Sequence, residues 1–225
     1  MIEYQNLTLI GTSHISPESV KQVRKVIKEI EPGFVALELD PGRLKSLLEK
    51  NKRKLKFKDV RRMGVKVFLF ALFGAWVEEK LGKMVKTKPG SEMKAAIFSA
   101  ARIKAKVVLI DQEITITINK LFKTLTWKEK FRFLWDIVSS PFSKRYRVKF
   151  DLRAVPSEEL IQNMLGQVKG RYPSFYKVLI TDRNKFMARR LHKLMNKYPE
   201  DKIVAIVGAG HEKAIVEILN KANAS

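Results

Sequence analysis

Four short runs of apolar residues limit the fold of this sequence more than any other feature. The runs occupy residues 7–10, 34–39, 106–110 and 203–207. They are nearly continuous rather than alternating in hydropathy, which is typical of strands covered on both faces by helices. Helical patterns separate the runs, so successive strands connect through crossovers and run parallel. The sequence therefore predicts an α/β fold with a mainly parallel central sheet flanked by helices.

Start and stop signals place the helices between these runs. Ser16-Pro17 predicts an N-cap with proline in the first turn, and Pro32-Gly33 predicts the end of that helix. A second helix is expected to begin near Pro89-Gly90, before the third strand. A third is expected at residues 182–197, before the fourth strand.

Two stretches do not fit the strand–helix alternation and predict an inserted helical cap. Residues 65–77 (VKVFLFALFGAWV) carry one charge in thirteen positions, a run too short to span a bilayer. Residues 120–150 hold eight of the 21 aromatic residues among nine Lys or Arg. We expect a single domain over 1–225 with a helical insertion at about 60–90 and 115–175.

The second stretch contains a capping box, Thr126-Trp127-Lys128-Glu129. One face of the helix that follows is apolar, and its members are Trp127, Phe131, Leu134, Trp135 and Val138. We expect the apolar faces of the insertion to pack on each other. The alternative is an interfacial surface that contacts membrane lipid or an apolar partner. The apolarity of 65–77 also predicts a homodimer through that helix.

Composition narrows the class of protein. The 225 residues suffice for one ordinary core, and the absence of cysteine excludes disulfides, thiolate zinc sites and a cysteine nucleophile. The N-terminal residues lack a secretory signal, and no apolar run is long enough to cross a membrane. We therefore expect a cytoplasmic protein, peripheral to the membrane at most. The Lys-rich composition also suits a thermophile.

The net charge of +22 predicts attraction to anionic surfaces, or else a charge-solubilised surface. The excess is concentrated at residues 43–66, which contain eleven Lys or Arg and two acids. This stretch has no recognisable nucleic-acid-binding motif. Such a charge would also attract an anionic membrane surface or an acidic partner.

Residues suited to metal binding or acid–base chemistry follow each predicted strand. His14 lies just beyond the first strand and Glu38 at the end of the second, Asp111 directly follows the third, and His211 lies just beyond the fourth. Because the carboxyl ends of parallel strands meet at one edge of a sheet, we expect these side chains in one crevice. Imidazoles with carboxylates suit Zn²⁺, Mn²⁺, Co²⁺ or Fe²⁺, which lower the pKa of a bound water to about 7.

Each histidine closes a Gly-x-x-His sequence, GTSH at 11–14 and GAGH at 208–211. We expect each glycine to allow either a sharp turn or a close backbone approach. The segment GAGHEKA is not a dinucleotide fingerprint, since Lys213 occupies the third glycine position. A P-loop, a nucleophile elbow and an HExxH motif are also missing from the sequence.

At these residues the sequence resembles the TraB family of pheromone-shutdown proteins, also called TraB/PrgY, which are related to the Tiki proteases. The resemblance covers nearly the whole chain in six blocks: GTSHISPESVKQVR at 11–24, VALELDPGRL at 35–44, PGSEMKAAI at 89–97, VVLIDQEITIT at 107–117, DRNKFMA at 182–188 and VAIVGAGH at 204–211. It implies an α/β fold with a metal-dependent hydrolase site that contains His14, Glu38 and His211.

By motif position the resemblance adds Arg43, Asp111 and Arg183 to the site. A guanidinium at Arg43 could hold a substrate carboxylate or an oxyanion. Arg183 opens a predicted helix that either delivers it to the same crevice or pairs it with a nearby aspartate, namely Asp40, Asp111 or Asp182.

The sequence also departs from the family pattern. Gln112 stands where relatives usually carry arginine, Glu212-Lys213-Ala214 replaces a usual Pro-Gly, and Asn184 replaces an aspartate. Many relatives continue into C-terminal membrane helices that this sequence does not contain.

The leading hypothesis is a metal-dependent hydrolase, foremost a peptidase, with a divalent ion such as Mn, Co or Zn held by His14, His211 and Glu38. Glu38 would be a ligand or the general base. Two alternatives are a protein that sequesters a peptide signal without cleaving it, and a basic protein that binds nucleic acid or a membrane surface.

Overall fold

The computed structural model describes residues 1–13, 16–49, 90–139 and 157–223, together with Gly64. His14, the predicted helix at 65–77 and nearly all of the predicted insertion at 60–90 lie outside the described residues. Residues 140–156 of the second insertion lie outside them as well.

Within the described residues, five strands form one sheet: β1 Ile2–Tyr4, β2 Leu7–Thr12, β3 Phe34–Leu37, β4 Lys106–Leu109 and β5 Ile203–Gly208. The spatial order is β1-β2-β5-β3-β4, and every neighbouring pair is parallel except the antiparallel pair of β1 and β2. The predicted mainly parallel α/β fold is confirmed. Strand β1 was not predicted, because two half-buried residues on either side of an exposed glutamate give no readable apolar run.

Helices connect the strands in chain order: α1 Pro17–Ile30, α2 Pro41–Leu48, α3 Ser91–Arg102, α4 Ile114–Thr124, α5 Trp127–Ser139, α6 Glu158–Arg171, α7 Pro173–Tyr176, a π-helical segment Lys177–Thr181, α8 Asp182–Lys197 and α9 Glu212–Asn223. The Ser16 hydroxyl accepts a hydrogen bond from the Glu18 N–H at 3.1 Å, and Pro17 occupies the first turn of α1, as predicted. In the described part of the chain, no helix combines the length and apolarity needed to cross a bilayer.

The sheet buries both of its faces, and successive residues of β5 show the division. Ile203, Ala205 and Val207 face a cluster formed with α8 and α9, whereas Val204 and Ile206 face a cluster formed with α1 and α3. This period of two follows from strand geometry. It explains why β5, buried on both sides, reads as one continuous apolar run.

Strand β4 departs from the expected two-sided burial. It is the edge strand of the sheet, and Val107 remains 38% exposed. This strand pairs with β3 along one edge. Val107, however, is not covered by helices as the residues of the inner strands are.

The described part of the insertion at 115–175 is helical, and it contains α5. Trp127, Phe131 and Trp135 on this helix are 73%, 68% and 70% exposed. The expectation that this apolar face packs against other helices is therefore wrong for these three side chains. A helical period identifies an apolar face, but it does not determine whether that face turns toward the protein.

A matched pair of substitutions measures the difference between inner and edge strands. We expect Val204→Ala, which empties space on a fully buried strand, to lower the free energy of unfolding by about 2 kcal/mol. Val107→Ala removes the same atoms from the half-exposed edge and should cost less than about 1 kcal/mol. Urea unfolding of both variants checks this, and equal losses would contradict the burial assignment.

Candidate active site

Residues that follow the parallel strands β3, β4 and β5 lie close together at one edge of the sheet. Glu38 directly follows β3, and its N–H donates to Ile206 O at 3.0 Å. Asp111 follows β4, and its N–H donates to Leu39 O at 3.3 Å. These bonds continue the sheet pairing beyond the strands. They hold both carboxyl groups at the carboxyl edge, where the sequence predicted them.

A buried guanidinium joins these two carboxylates. Arg183 Nε donates to Asp111 Oδ1 at 3.0 Å, and its Nη2 donates to Asp111 Oδ2 at 2.6 Å. The same Nη2 also donates to Glu38 Oε1. Burial alone would lower the pKa of Arg183, but the carboxylates of Glu38 and Asp111 raise it well above its ordinary value. Arg183 is therefore permanently charged and compensates two buried anions.

The π-helical segment sets the position of Arg183. It ends at Thr181, so that α8 begins with Asp182, Arg183 and Asn184. Asp182 is fixed by Lys120 Nζ at 2.8 Å and Lys177 Nζ at 3.1 Å. Burial raises the pKa of Asp182, but the two lysines lower it below its ordinary value overall. Segments of π-helix occur frequently at functional sites because they re-aim the side chains around them.

His211 lies beside this ion pair and is buried. Its Nδ1 lies within hydrogen-bonding distance of Asn184 Oδ1. A carbonyl oxygen can only accept, so Nδ1 carries a proton, and in the neutral imidazole the lone pair is then on Nε2. Nε2 lies 3.5 Å from Glu38 Oε1 and 3.5 Å from Arg183 Nη1. Two electron-rich atoms thus face each other beside a fixed positive charge.

The first glycine of GAGH contributes its backbone to the site. The Gly208 N–H donates to Glu38 Oε2 at 2.6 Å, so both oxygens of Glu38 are held. In GTSH, a Cβ added at Gly11 would lie 2.3 Å from Glu212 Oε2. Neither glycine has a positive φ among the described residues. Neither position therefore requires glycine for a left-handed backbone, and Gly11 permits the close approach of Glu212.

Arg43 lies at the rim of the cluster. Its Nη1 is 3.5 Å from Asp111 Oδ2, and its side chain is 41% exposed. Asp40 caps α2 by accepting from the N–H groups of Gly42 at 2.8 Å and Arg43 at 3.1 Å. The second oxygen of Asp40 is buried and has no hydrogen-bond partner among the described residues.

The structure therefore brings together five predicted site residues: Glu38, Asp111, Arg183, His211 and Arg43. His14 lies outside the described residues. Its strand is nevertheless adjacent to that of His211, since Thr12 pairs with Gly208 and the Ala209 N–H donates to Thr12 O at 3.0 Å. Strands β2 and β5, in which the two Gly-x-x-His sequences begin, therefore end side by side.

Two contributors to the site were not predicted from the sequence, namely Asn184 and the Gly208 N–H. Asn184 carried a signal, because it directly follows Arg183 in the first turn of α8. A backbone N–H donor gives no signal in a sequence.

The donor set can be compared with the needs of a metal ion. Within the described residues no three His, Asp or Glu side chains group as a metal site. The space between Glu38 and Asp111 holds the Arg183 guanidinium, so this carboxylate pair does not fit a cation. Glu38 Oε1 and His211 Nε2 are 3.5 Å apart, close to the roughly 3.4 Å between neighbouring ligands of a tetrahedral ion with bonds of about 2.1 Å. These two donors fit adjacent ligand positions and require a third ligand.

The chain is similar to several known proteins. The model of the TraB/PrgY/gumN family matches residues 2–224. The chain is 35% identical over 220 residues to an uncharacterized protein of Methanocaldococcus jannaschii, covering 96% of this chain and 54% of that protein. It is 24% identical to a TraB domain-containing protein of Homo sapiens and 25% identical to one of Bos taurus, covering 92% of this chain in each case. The chain spans 61% and 60% of those two relatives, so it corresponds to little more than half the length of the proteins it matches.

The buried ion cluster predicts that removing Arg183 lowers stability strongly and that also removing the two carboxylate charges restores it. Arg183→Met leaves Glu38 and Asp111 uncompensated and should lower the free energy of unfolding by about 3–5 kcal/mol. Adding Glu38→Gln and Asp111→Asn to this variant removes both buried charges and should recover most of the loss. Urea unfolding measures the series. Arg189→Met, on the exposed side of the same helix, is the control, and an Arg183→Met variant no less stable than this control would refute the pairing.

Proposed function

The chain belongs to the TraB/PrgY/gumN family, and from this premise we propose that it is a metal-dependent hydrolase that cleaves peptides. The proposal rests on the close approach of Glu38 Oε1 and His211 Nε2, which lie 3.5 Å apart. Both atoms are electron-rich and are held rigidly at the carboxyl edge of a parallel sheet, where ligands bind in α/β proteins.

In this proposal His211 and Glu38 hold the ion, and His14 supplies the third ligand from the adjacent strand. Zn²⁺, Mn²⁺ and Co²⁺ suit such nitrogen and oxygen donors. When bound, the ion would lower the pKa of a water ligand and would polarise the substrate carbonyl.

The protein's own groups prepare this site. Asn184 keeps the lone pair of His211 on Nε2, because its carbonyl oxygen requires the proton on Nδ1. Arg183 and the Gly208 N–H bind Glu38 at both oxygens and favour its ionised form. Glu38 can then act as a ligand or accept the proton of the attacking water.

Arg43 fits a role in substrate binding. Its half-exposed guanidinium is anchored to Asp111 on one side and remains accessible from the rim. A guanidinium there can bind a peptide carboxylate or the oxygen of the scissile carbonyl as negative charge develops. The second role would place Arg43 among the groups that stabilise the transition state.

Metal content and peptide cleavage test the proposal directly. Protein purified without chelator should contain about one metal ion per chain by elemental analysis, and it should shorten members of a peptide library. We expect His211→Ala, Glu38→Gln and His14→Ala to lose both the metal and the cleavage. His192→Ala replaces the third histidine, which contacts Asn196 and stands apart from the cluster, and should change neither.

Two outcomes would contradict this proposal. Peptides that co-elute intact with the protein would show sequestration in place of hydrolysis. Cleavage that continues in a metal-free protein would show that hydrolysis does not require the ion.

The contact of Asn184 with His211 predicts a positioning effect. Asn184→Ala removes the acceptor for Nδ1–H and should reduce metal affinity or the turnover rate by about 10–100-fold. Asn184→Asp restores an acceptor and should recover most of both quantities. Asn196→Ala, on the same helix, is the control. An alanine variant with unchanged metal affinity and rate, confirmed as folded by circular dichroism, would show that the contact does not orient the imidazole.

A further inference from the structure

Helix α5 turns its polar side toward the protein. Glu129 is buried, and it accepts from the Thr126 N–H at 3.0 Å and from the Ser174 N–H at 2.8 Å. Burial raises the pKa of Glu129, but hydrogen bonds from Ser174 and Thr126 lower it below its ordinary value overall. The predicted capping box is therefore present, and its glutamate also ties α5 to the first turn of α7.

Asp136, the second acid of α5, also bonds to residues of the neighbouring helices. Arg171 Nε donates to Asp136 Oδ2 at 2.7 Å, and the Tyr172 hydroxyl donates to the same carboxylate. Hydrogen bonds from Arg171 and Tyr172 lower the pKa of Asp136. Burial and the neighbouring Asp136 raise the pKa of Tyr172 to about 12, so the hydroxyl keeps its proton. Arg132 Nη1 adds a bond to Arg171 O at 2.6 Å.

The opposite face of α5 carries a stripe of exposed aromatic residues. Trp127, Phe131 and Trp135 follow one another at intervals of four and form a line about 12 Å long. Helical geometry places Lys128 and Lys130 on opposite flanks of this line, and Lys130 Nζ lies 4.6 Å from the centre of the Trp127 ring. We call Trp127, Phe131, Trp135, Lys128 and Lys130 the aromatic stripe.

The distribution of charge identifies the kind of partner. Both acids of α5 are bound to neighbouring helices, so its outward side presents lysines and aromatic rings. A second copy of a chain with net charge +22 would be repelled by this surface. Tryptophan prefers the boundary between headgroups and acyl chains, and lysine extends toward lipid phosphates. An anionic bilayer matches both halves of this pattern.

We propose that α5 is an interfacial helix that docks the protein on anionic membranes. The three aromatic side chains enter the headgroup–acyl boundary, and the two lysines contact lipid phosphates. The polar contacts of Glu129 and Asp136 hold the helix against α6 and α7, so that its aromatic face is presented without rearrangement. The contact is peripheral and does not depend on the hydrolase proposed above.

Vesicle sedimentation tests this proposal. We expect the full chain to sediment with phosphatidylcholine vesicles that contain phosphatidylglycerol and to bind pure phosphatidylcholine much more weakly. We expect vesicle binding to weaken about tenfold in each of the single variants Trp127→Ser, Phe131→Ser and Trp135→Ser. Each substitution removes one ring that would insert into the headgroup–acyl boundary. Phe98→Ser, at a 54% exposed phenylalanine on α3, is the matched control and should not weaken it.

Tryptophan fluorescence separates insertion from simple charge attraction. In a Trp76→Phe background only Trp127 and Trp135 emit, and anionic vesicles should shift their emission to the blue. Brominated lipid should quench the same emission. Lys128→Ala/Lys130→Ala should weaken binding at low salt and reduce its salt dependence.

Three results would overturn the proposal. The first is a failure to bind anionic vesicles at all. The second is binding that the triple serine variant retains in full, since attraction to the basic stretch at 43–66 would then suffice. The third is a dimer in solution, found by analytical ultracentrifugation, that the same three substitutions dissociate.

Discussion

The buried guanidinium of Arg183 is the interaction on which the rest of the site depends. It joins Glu38 after β3 and Asp111 after β4 to the first turn of α8. Two carboxylates at this depth would be costly without a compensating charge. By binding them, Arg183 fixes the orientation of Glu38, which in turn receives the Gly208 N–H and faces His211. One ion cluster thus determines the geometry of every group around it.

Strand order explains how residues far apart in sequence reach this cluster. Strand β5 inserts between β2 and β3, so the C-terminal GAGH begins at the end of the central strand. Its register places Gly11 opposite Val207 and Thr12 opposite Gly208. The two glycines lie on adjacent strands, one residue apart in register, and each has a different role. Gly208 contributes an N–H, whereas Gly11 leaves room for a carboxylate.

The parts of this arrangement that the sequence predicted are those set by local pattern. Continuous apolar runs predicted the buried strands, and the rule that parallel strands share a carboxyl edge placed Glu38, Asp111 and His211 together. Arg183 was predicted to reach the crevice or pair with an aspartate, and it does both. The contacts of Arg183 with Glu38 and of Asn184 with His211 were not predicted, and both residues lie just after the π-helical segment. No periodicity announces such a segment.

The orientation of α5 was mispredicted for a physical reason of the same kind. Its apolar face was recognised, but burial was assumed to follow from apolarity. The structure instead buries Glu129 and turns the partly buried Asp136 toward the neighbouring helices, because Arg171, Tyr172 and the Ser174 N–H provide bonds that compensate their desolvation. Long-range polar partners decided which face turned inward, and these partners lie more than thirty residues away in sequence.

The same polar contacts connect the aromatic stripe to the ion cluster. Glu129 binds the Ser174 N–H in α7, and α7 continues through the π-helical segment into α8. Lys120 of α4 adds a second tie by binding Asp182, the residue next to Arg183. A helical rod from Pro173 to Lys197 therefore carries both the anchor of α5 and the guanidinium that organises Glu38 and Asp111. Because one continuous element bears both, a membrane contact through α5 would hold the carboxyl edge of the sheet in a defined relation to the lipid surface.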